Sequence, residues 1–486
     1  HLLQLAREAG VRIVGPNCLG ILNPHAQLNA SFAGTVPLPG AIGYFSQSGS
    51  LLAALVDMAK ARGVGFSKLI SLGNKADITE LDVLRMLAHD EQTQVIAGYL
   101  ETIVRGEEFI REAERISHDK PILLMKSGDT GAGSAAASSH TGRLAETQRA
   151  YKIVFERAGI IPCPSVTAQF DYARALTHQP LPAGPGVAVI ANAGGAGIMA
   201  ADAAERHGLT MAAFTEATTA RLQEALPPAA NTHNPVDVLG DALAERFEGA
   251  LAAVLDDDNV HAAVVLLTPH AVTQCKETAE AVVRVSRLRG DKPILASFIG
   301  AALVAEARQV LREGHVPYYD SPEFALGTLQ VMWDHARWRN RPKRVVKLFS
   351  VNRRKVEKIL QRHLRARDFE IGEMEAKDVL EAYGFRTPQS LLATDAEQAA
   401  NFAEQIGYPV VLKIWSPDIV HKAEVGGVRS GCSTAQEVRD AFDLMMYRVP
   451  KRAPEAKVLG VLVEEMCTMG TEVILGMKRD PHYGPL

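Results

Sequence analysis

The sequence predicts an α/β protein of several domains, in which parallel sheets are covered by helices on both faces. Short apolar β-type runs alternate with Ala-rich amphipathic stretches along most of the chain. Runs that are apolar at nearly every position are typical of parallel strands buried on both sides. The segments 41–176 and 184–336 also share a layout, in which a strand enters a small-residue turn and a helix, and a Lys-Pro-Ile-Leu run follows later. We therefore expect two related α/β units.

Eight segments carry the strand pattern, and predicted helices such as residues 51–63 and 196–208 lie between them. The predicted strands are VRIVG (11–15), AIGYFS (41–46), VIAGYLE (95–101), PILLMKS (121–127), VAVIANAGG (187–195), AAVVLLTP (262–269), PILASFIG (293–300) and VVLKIW (410–415).

Composition excludes several classes of protein. A length of 486 residues predicts about three domains at ~150 residues each. The net charge of −4 gives no electrostatic reason to expect nucleic acid or an anionic membrane as partner. No apolar run is long enough to span a bilayer. Five scattered cysteines without a CxxC pair fit a reducing cytoplasm and predict neither a disulfide framework nor a structural zinc site.

Loops and linkers divide the chain. A Gly/Pro/Asn loop covers residues 22–40, and a Pro/Gly linker covers residues 178–186. The basic run 338–368 lacks interleaved aromatic residues, so we interpret it as a solvated linker and not as a nucleic-acid site. The chain opens as if inside a helix and closes on an unfinished apolar stretch, so we expect a piece of a longer protein.

Two strand-to-helix turns are candidate anion sites. One is Gln47-Ser48-Gly49-Ser50, and the other runs from Asn192 to Gly197 and contains Gly194 and Gly195. Free N–H groups and the positive end of the helix dipole bind anions at such a turn. Taken alone, the first turn is equally well explained as an ordinary turn with a Ser N-cap.

His140 and Glu101 are candidate catalytic residues. His140 lies in the Gly/Ala/Ser-rich segment 127–146, and Glu101 ends a predicted strand. An imidazole can act as base or nucleophile, and a carboxylate bonded to one ring nitrogen makes the other more nucleophilic. Each residue alone is more simply explained as a solvated side chain. The two anion sites on either side of His140 in the sequence favour a phosphorylated histidine, because its phosphate needs donors.

The last part of the chain carries a third candidate site. Lys413 lies within an apolar strand, where an ammonium group is costly unless it meets an anion such as a nucleotide phosphate. His421 follows in a loop. Residues 458–480 are predicted as a strand, an acidic hinge at Glu464 and Glu465, a turn and a second strand.

Together these segments resemble the NDP-forming acyl-CoA synthetases, specifically the ADP-forming acetate–CoA ligases, which are relatives of succinyl-CoA synthetase. They cover nearly the whole chain in the family's order, and the His140 loop and SPDIVHK are the most specific. The segments are GPNCLGILNP, YFSQSGSLL, SLGNKADITELDVL, YLE, KSGDTGAGSAAASSHTGRLA, NAGGAGIMAAD, NPVDVLGDA and PVVLKIWSPDIVHKAEVGGV.

The resemblance implies a multidomain α/β fold with Rossmann-like and flavodoxin-like parallel sheets plus an ATP-grasp domain. It divides the chain into the end of a CoA-binding Rossmann-like domain (1–35), two flavodoxin-like CoA-ligase domains (36–180 and 184–338), a linker (339–365) and the first part of an ATP-grasp domain (366–486). Metal-binding residues are expected beyond Leu486. We therefore expect the chain to be inactive by itself.

The implied reaction converts acetyl-CoA or another small acyl-CoA, ADP and phosphate into the acid, ATP and CoA. The resemblance implies CoA, ATP/ADP and Mg²⁺ as ligands. It makes His140 the phosphorylated residue, Glu101 its orienting carboxylate and His421 a relay to the nucleotide. The two turns would bind phosphate or CoA. The implied nucleotide-binding residues are Lys413, Glu464, Glu465 and Glu472.

A second interpretation belongs to another functional class. Some bacterial protein lysine acetyltransferases carry a similar region as an acyl-CoA sensor, and their acetyltransferase domain would lie outside this chain. Retention of His140, Glu101, Lys413 and His421 favours a working ligase. A succinate–CoA ligase is a third interpretation, but the SQSG turn lacks an arginine for a second carboxylate. We expect small-molecule substrates, a homo-oligomer, a cytoplasmic location, and neither nucleic acid nor membrane as partner.

Overall fold

The computed structural model describes residues 2–127, 148–342, 349–369, 371–467, 470–477, 479–480 and 483–485. The chain forms two compact units. The first comprises His1–Pro342 together with Met477–Leu486, and the second comprises Lys343–Gly476.

The first unit begins with a seven-stranded sheet. Its strands are β1 (Gly20–Asn23), β2 (Leu28–Ser31), β3 (Leu38–Ser46), β4 (Gly65–Ser71), β5 (Val95–Leu100), β6 (Ile122–Lys126) and β7 (Ile160–Pro162). The helices around it are α1 (Leu2–Glu8), α2 (Gly49–Arg62), α3 (Glu80–His89), α4 (Gly106–Ser117), α5 (Gln148–Ala158) and α6 (Val166–His178). The strand order is β2-β1-β4-β3-β5-β6-β7, and β3 to β7 are parallel.

A second sheet follows in the same unit. Its strands are β8 (Gly186–Ala191), β9 (Thr210–Met211), β10 (Val236–Asp237), β11 (Ala262–Leu267), β12 (Ile294–Phe298) and β13 (Tyr318–Tyr319). The helices are α7 (Gly194–Arg206), α8 (Glu216–Ala225), α9 (Ala244–Leu255), α10 (Cys275–Leu288), α11 (Ala305–Glu313) and α12 (Pro322–Arg339), with a 3₁₀ turn at Ala302–Val304. The order is β10-β8-β11-β12-β13, and β9 pairs with β8 beside β10.

The expected burial of both sheet faces is confirmed. Each parallel sheet has two hydrophobic clusters, one for each face. All six residues of β8 and all six of β11 are buried. Helices on both sides therefore remove these strands from water, which is why their sequences are apolar at every position and do not alternate.

The expected relation between the α/β segments 41–176 and 184–336, which both lie in the first unit, is also confirmed. Counted along the chain from β3, the first sheet has the strand order 2-1-3-4-5, and the path β10-β8-β11-β12-β13 of the second sheet has the same order when β9 is left out of the count. The lysine of the repeated Lys-Pro-Ile-Leu run makes equivalent hydrogen bonds in the two segments. Lys120 donates to the carbonyls of Leu87 and Asp90 at the end of α3, and Lys292 donates to those of Leu255 and Asp257 at the end of α9. In both segments this lysine bonds to carbonyls that a helix end leaves without partners.

The second unit has a different architecture. Its strands are β14 (Ser390–Ala393), β15 (Val410–Trp415), β16 (Val428–Cys432) and β17 (Gly460–Glu465), and its helices are α13 (Arg353–Ala366), α14 (Glu373–Ala382), α15 (Ala396–Ile406) and α16 (Ala435–Arg452). The sheet has the order β14-β17-β15-β16 and is antiparallel throughout. The prediction of a parallel sheet was therefore wrong for residues 410–415. Buried and half-buried residues alternate along β15.

Two further expectations were wrong. Residues 11–15 form no strand, because their backbone bonds to a loop: Ile13 N donates to Asp77 Oδ2, and Ile78 N donates to Ile13 O. Residues 473–477 are exposed and form no strand after the acidic hinge. β1 and β4, which lie on either side of the expected boundary at residue 36, pair with each other, and β1 also pairs with β2.

The last described residues of the chain form a short hairpin of β18 (Arg479–Asp480) and β19 (Gly484–Pro485). This hairpin belongs to the first unit. None of the described helices has the length and apolar character needed to cross a membrane.

A buried amide links the first sheet to α6, and its removal is predicted to destabilise the fold. Gln169 accepts a hydrogen bond from Tyr44 Oη at 2.9 Å and donates to the carbonyls of Gly98 and Leu123 at 3.0 Å. Gln169→Leu leaves the fully buried Tyr44 hydroxyl without that acceptor, so we expect a loss of about 1–3 kcal/mol in the free energy of unfolding. Urea denaturation of the purified chain measures it.

The control is the exposed Gln309, which bonds to Glu313 on α11. Gln309→Leu should change the free energy of unfolding by less than about 0.5 kcal/mol. Adding Tyr44→Phe to Gln169→Leu should recover part of the loss, because the orphaned hydroxyl is then absent. Equal losses for the two glutamines would contradict the interpretation.

Candidate active site

The candidate site lies where the chain connections of the first parallel sheet diverge. From β3 the chain crosses to β4 on one side, and from β5 it crosses to β6 on the other. In open parallel sheets, ligands bind in the crevice at the carboxyl ends of two such strands. β3 leads into the turn before α2, and β5 leads into Glu101. The crevice therefore unites one predicted anion site with one predicted catalytic carboxylate.

A cavity of 720 Å³ opens at this point. The turn before α2 and the Glu101 carboxylate face it together with two loops that precede β1 and follow β4. Its lining consists of Asn17, Cys18, Leu19, Phe32, Gln47, Ser48, Gly49, Ser50, Ala53, Gly73, Asn74 and Glu101. The described lining contains no lysine or arginine. A ligand anion would thus be met by backbone and neutral polar groups.

Ser48 caps α2 and leaves the first helical amides available. Ser48 Oγ accepts from Leu51 N at 3.3 Å, and Ser48 N donates to Ser46 Oγ at 3.1 Å. Within the described residues, the N–H groups of Gly49 and Ser50 have no acceptor. Two unpaired amides and the positive end of a 14-residue helix thus face the cavity.

Gln47 holds the loop that carries Glu101. Its side-chain oxygen accepts from Glu101 N at 3.0 Å and from Thr102 N at 3.1 Å, and its side-chain nitrogen donates to Thr102 Oγ1 at 3.3 Å. Gln47 N also donates to Tyr99 O at 3.0 Å. The Gln47 amide therefore bridges the ends of β3 and β5. Gln47 also lines the cavity, together with the three residues that follow it.

A buried ion pair also bonds to the loop that carries Glu101. Lys75 Nζ lies 3.0 Å from Glu80 Oε2, and both side chains are almost completely buried. The Lys75 ammonium also donates to Thr102 O at 2.6 Å, and Glu80 Oε1 accepts from Val104 N. Each charge thus satisfies a backbone group of the loop, which compensates for the burial of the pair.

Lys126, at the end of β6, completes the support. Its ammonium donates to Glu101 O at 2.6 Å and to Ser127 O at 2.7 Å. Both backbone polar groups of Glu101 are therefore bonded. Its carboxylate, in contrast, has no hydrogen bond or ion pair within the described part of the chain. The loop fixes Glu101 at the cavity and leaves the carboxylate available for a ligand or for a further side chain.

The second parallel sheet repeats this arrangement at the end of β8. Asn192, which is buried, donates to Thr268 O at 2.9 Å and accepts from Thr268 N at 2.8 Å. This amide bridges β8 and β11 as Gln47 bridges β3 and β5. No side chain caps the start of α7, where Gly194 and Gly195 are exposed. Gly197 is buried, and a Cβ there would lie 3.3 Å from Pro235.

The second unit contains a network of three lysines and two glutamates. Lys413 on β15 lies 2.5 Å from Glu464 Oε2 on β17 and 3.1 Å from Glu373 Oε1 at the start of α14. Lys377 also pairs with the buried Glu464. Lys422 donates to Glu373 Oε2 at 2.9 Å. The predicted phosphate-binding Lys413 is therefore already paired with two carboxylates.

The network shifts the pKa of its outer members. Burial alone raises the pKa of Glu373, but hydrogen bonds from Lys422 and Lys413 more than reverse this effect and bring it below 4.5. Burial lowers the pKa of Lys413, and bonding to Glu464 and Glu373 raises it above 10.5. Both groups are therefore charged at neutral pH.

The structure does not bring the remaining predicted residues together. His421 is exposed in the loop between β15 and β16. Glu465 is exposed and accepts weakly from Gln389 N at 3.5 Å, and Glu472 is exposed in an irregular segment. Because strand residues alternate, Glu464 and Glu465 point to opposite faces of β17, and only Glu465 faces solvent. His140 lies outside the described residues.

Family descriptions match three stretches of the chain. A succinyl-CoA ligase like flavodoxin domain matches residues 39–176, a ligase-CoA domain matches residues 187–342, and an ATP-grasp domain matches residues 362–486.

Relatives match along the whole chain. The ADP-forming acetate–CoA ligase I of Archaeoglobus fulgidus is 40% identical over 100% of this chain and 70% of its own length. The ADP-forming 4-hydroxybutyrate–CoA ligase of Nitrosopumilus maritimus is 38% identical over the same shares. The acetyl-coenzyme A synthetase 1 of Ca. Korarchaeum cryptofilum, solved with phosphate and ADP, superimposes with a TM-score of 0.67 at 35% identity, over 70% of this chain and 74% of that one.

The chain belongs to the ADP-forming acyl-CoA synthetase family. The predicted ligase class and the predicted combination of CoA-ligase and ATP-grasp domains are thereby confirmed. The relatives are ligases, which favours catalysis over the acyl-CoA-sensing alternative. No finding supports the acetyltransferase domain that this alternative implies.

Among the described residues of this synthetase, no group of three His, Cys, Asp or Glu side chains could hold a metal ion. Glu373 and Glu464, which both contact Lys413, are neutralised by lysines. A nucleotide-bound Mg²⁺ would therefore take its ligands from groups other than these.

Several residues of the synthetase site were missed from the sequence. Lys75, Glu80 and Lys126 support the Glu101 loop, and Glu373 and Lys377 complete the network around Lys413. A signal was present for three of them, because Lys75 and Glu80 lie within the family-like segment SLGNKADITELDVL and Lys126 opens the segment KSGDTGAGSAAASSHTGRLA. The others are recognisable only once their partners are known.

Replacement of Gln47 is predicted to impair the synthetase mainly in turnover. Gln47→Leu removes the acceptor of two backbone N–H groups and frees the Glu101 loop. Because displacement of a catalytic group by about 1 Å costs on the order of 100-fold in rate, we expect kcat to fall about 10- to 100-fold. KM for the nucleotide should stay within about twofold. Steady-state kinetics of the full-length protein measures both.

Gln179 provides a matched control. Its side chain accepts from Ile294 N at 2.9 Å and donates to His315 O at 3.0 Å, and it does not line the cavity. Gln179→Leu should lose a similar free energy of unfolding, about 1–3 kcal/mol, and keep kcat. If both variants lost the same activity, Gln47 would contribute only stability.

The Glu373 network is predicted to make the second unit less stable in acid. A carboxyl with a lowered pKa stabilises the fold at pH values above its ordinary pKa of 4.5 and loses this effect as the pH falls through its folded pKa. Urea unfolding should therefore show a loss of stability as the pH falls below 4.5, and Glu373→Gln should reduce this loss. Trp415 fluorescence reports on this unit when Trp333 and Trp338 are replaced by Phe.

Glu397 is the control carboxylate. It pairs with Arg439 at 2.8 Å, but its side chain is 70% exposed. Exposed pairs contribute little, so Glu397→Gln should leave the pH dependence nearly unchanged. An equal effect of the two substitutions would refute a special contribution of Glu373.

Proposed function

We propose that the protein is an acetate–CoA ligase of the ADP-forming type, with acetate or a similarly small monocarboxylate as its acid, and that it acts through a phosphohistidine at His140. The overall reaction converts acyl-CoA, ADP and phosphate into the acid, ATP and CoA, and it is reversible. CoA, ATP/ADP and Mg²⁺ are the proposed ligands. A homo-oligomer in the cytoplasm, with neither nucleic acid nor membrane as partner, belongs to the same proposal.

One observation carries the proposal: a carboxylate and unpaired helix amides face the same cavity, whose described lining has no basic side chain. A free phosphate would be attracted by the amides and repelled by Glu101. A phosphorylated imidazole suits both groups, because its ring N–H can donate to the carboxylate while its phosphoryl oxygens accept from Gly49 N and Ser50 N. The lining therefore fits a phosphohistidine better than a free anion.

The proposed chemistry has three transfers. A phosphate oxygen attacks the thioester carbon, the C–S bond breaks, and the CoA thiolate leaves and takes up a proton. A nitrogen of His140 then attacks the phosphorus of the acyl phosphate, the bond from phosphorus to the acyl oxygen breaks, and the carboxylate leaves. Finally a β-phosphate oxygen of ADP attacks the same phosphorus, and the N–P bond breaks to give ATP and free imidazole.

The chain's own residues contribute positioning and charge. Glu101 is proposed to hold one ring nitrogen of His140, and the amides of α2 to stabilise the phosphoryl charge. The turn from Asn192 to Gly197 is proposed as a second set of donors, since a Cβ at Gly195 would meet no atom within 4 Å, and one at Gly194 would meet only Asp237 Oδ2 at 3.6 Å. Lys413 is proposed to meet a nucleotide phosphate, His421 to relay the phosphoryl group, and Glu465 and Glu472 to contact the nucleoside.

The choice of a small monocarboxylate rests on two supports. The relatives from Archaeoglobus fulgidus and Nitrosopumilus maritimus are named for acetate and 4-hydroxybutyrate, which are both monocarboxylates. The described cavity lining offers no basic side chain for a second carboxylate, which succinate would require. Activity with acetate and none with succinate is the expected substrate pattern.

Labelled ATP provides the test. Incubation of the full-length protein with [γ-³²P]ATP should give an acid-labile phosphoprotein that acetate and CoA discharge together. His140→Ala should abolish the label, and Glu101→Gln should slow labelling by about 100-fold, as expected when the attacking imidazole is no longer held in position. Label that persists in His140→Ala would overturn the phosphohistidine assignment.

A further inference from the structure

The family match and the structure assign the last residues of the chain to different parts of the protein. They lie within the stretch that matches an ATP-grasp domain, residues 362–486, yet Met477–Leu486 belongs to the first unit, with the parallel sheets. Within this segment, Tyr483 is 2% exposed and lies in the hydrophobic cluster between the first sheet and helices α4 and α5. Tyr483 thus lies within the ATP-grasp match and is also part of the hydrophobic core of the first sheet, beside the candidate site.

The backbone around Tyr483 bonds to its own turn and lies beside α4. Tyr483 N donates to Asp480 Oδ1 at 3.1 Å, within the hairpin of β18 and β19. The next residue, Gly484, has φ of +75°, and a Cβ there would lie 2.1 Å from Glu107 Oε1 on α4. Gly484 therefore lies directly beside the Glu107 side chain, and its positive φ favours glycine at this position.

A chain of contacts leads from Tyr483 to Glu101. The Tyr483 ring meets the Tyr151 ring edge to face, with centroids 5.7 Å apart and planes at 72°. Lys126 Nζ lies 4.2 Å from the centroid of the Tyr151 ring, in a cation–π contact. The same ammonium donates to Glu101 O at 2.6 Å and to Ser127 O at 2.7 Å. Three successive contacts thus connect the hairpin to the loop that holds the carboxylate.

We propose that Tyr483 is a positioning residue for Glu101. Its ring fixes the orientation of Tyr151, the face of Tyr151 fixes the ammonium of Lys126, and the ammonium fixes the carbonyl of Glu101. Loss of the ring lets Tyr151 turn and Lys126 shift, so the carboxylate no longer meets its imidazole at the required distance. The role of Glu101 in this inference rests on the proposed function.

The test uses the full-length protein and three substitutions at Tyr483. Tyr483→Ala removes the ring, Tyr483→Leu fills the space without an aromatic edge, and Tyr483→Phe keeps the edge-to-face contact. The measurement is the single-turnover rate at which acetate and CoA discharge the phosphoenzyme. We expect Tyr483→Ala and Tyr483→Leu to lower this rate about 10- to 100-fold. Tyr483→Phe should stay within about threefold, and KM for CoA should remain within about twofold in every variant.

Tyr319→Leu is the matched control, because Tyr319 is also 2% exposed but lies in the second parallel sheet. It should lose comparable stability and keep the discharge rate. Coupling to Lys126 is a second readout: Tyr483→Leu combined with Lys126→Met should lose no more rate than Lys126→Met alone, because both act along one path. If Tyr483→Ala does not fold, Tyr483→Leu answers the question.

The outcomes separate the two proposals. A wild-type protein that forms no phosphoenzyme would overturn the proposed function and this inference with it. A wild type that is phosphorylated, with Tyr483→Leu no slower than Tyr319→Leu, would overturn the positioning role alone. Additive losses for Tyr483→Leu and Lys126→Met would also overturn it.

Discussion

The candidate site depends on one type of interaction, a side-chain amide that bridges two parallel strands at the point where the connections diverge. Gln47 joins the end of β3 to the start of the Glu101 loop, and Asn192 joins the end of β8 to Thr268. A parallel sheet leaves the backbone beyond its carboxyl edge without strand partners. An amide can donate and accept at once, so one side chain satisfies this backbone and fixes the width of the crevice.

The candidate sites of the first and the second unit differ in the source of their positive potential. The cavity beside Glu101 has helix amides and no described basic side chain, so its positive potential comes from fixed dipoles that need no counter-ion. The second unit instead holds Lys413, Lys377 and Lys422 against Glu373 and Glu464. A nucleotide phosphate that approached these lysines would compete with Glu373. The first arrangement suits a covalently held phosphoryl group, and the second suits a ligand that enters and leaves.

Seven of the eight strands predicted from the sequence are present, as are both glycine-containing turns, because continuous apolar runs and small-residue turns are local signals. The strand prediction failed for residues 11–15, where a five-residue apolar run is held by loop groups such as Asp77. The sequence also located Gln47, Glu101 and Lys413 without their partners. Gln47 and Glu101 are 54 positions apart, and Lys413 and Glu373 are 40 positions apart. Such contacts are fixed only when strands and helices pack, so periodicity and spacing do not contain them.

The related sheets differ at the position that decides their chemistry. The residue after β5 is Glu101 and the residue after β11 is Thr268, and in each the backbone N–H donates to the bridging amide. The lysine before β6 and the lysine before β12 also cap equivalent helices. The scaffold is thus conserved between the two halves, while only the first has a carboxylate at this point. An imidazole needs a carboxylate to orient it and a phosphate needs only donors, so in the proposed function Glu101 orients the histidine and the turn before α7 adds donors for the anion.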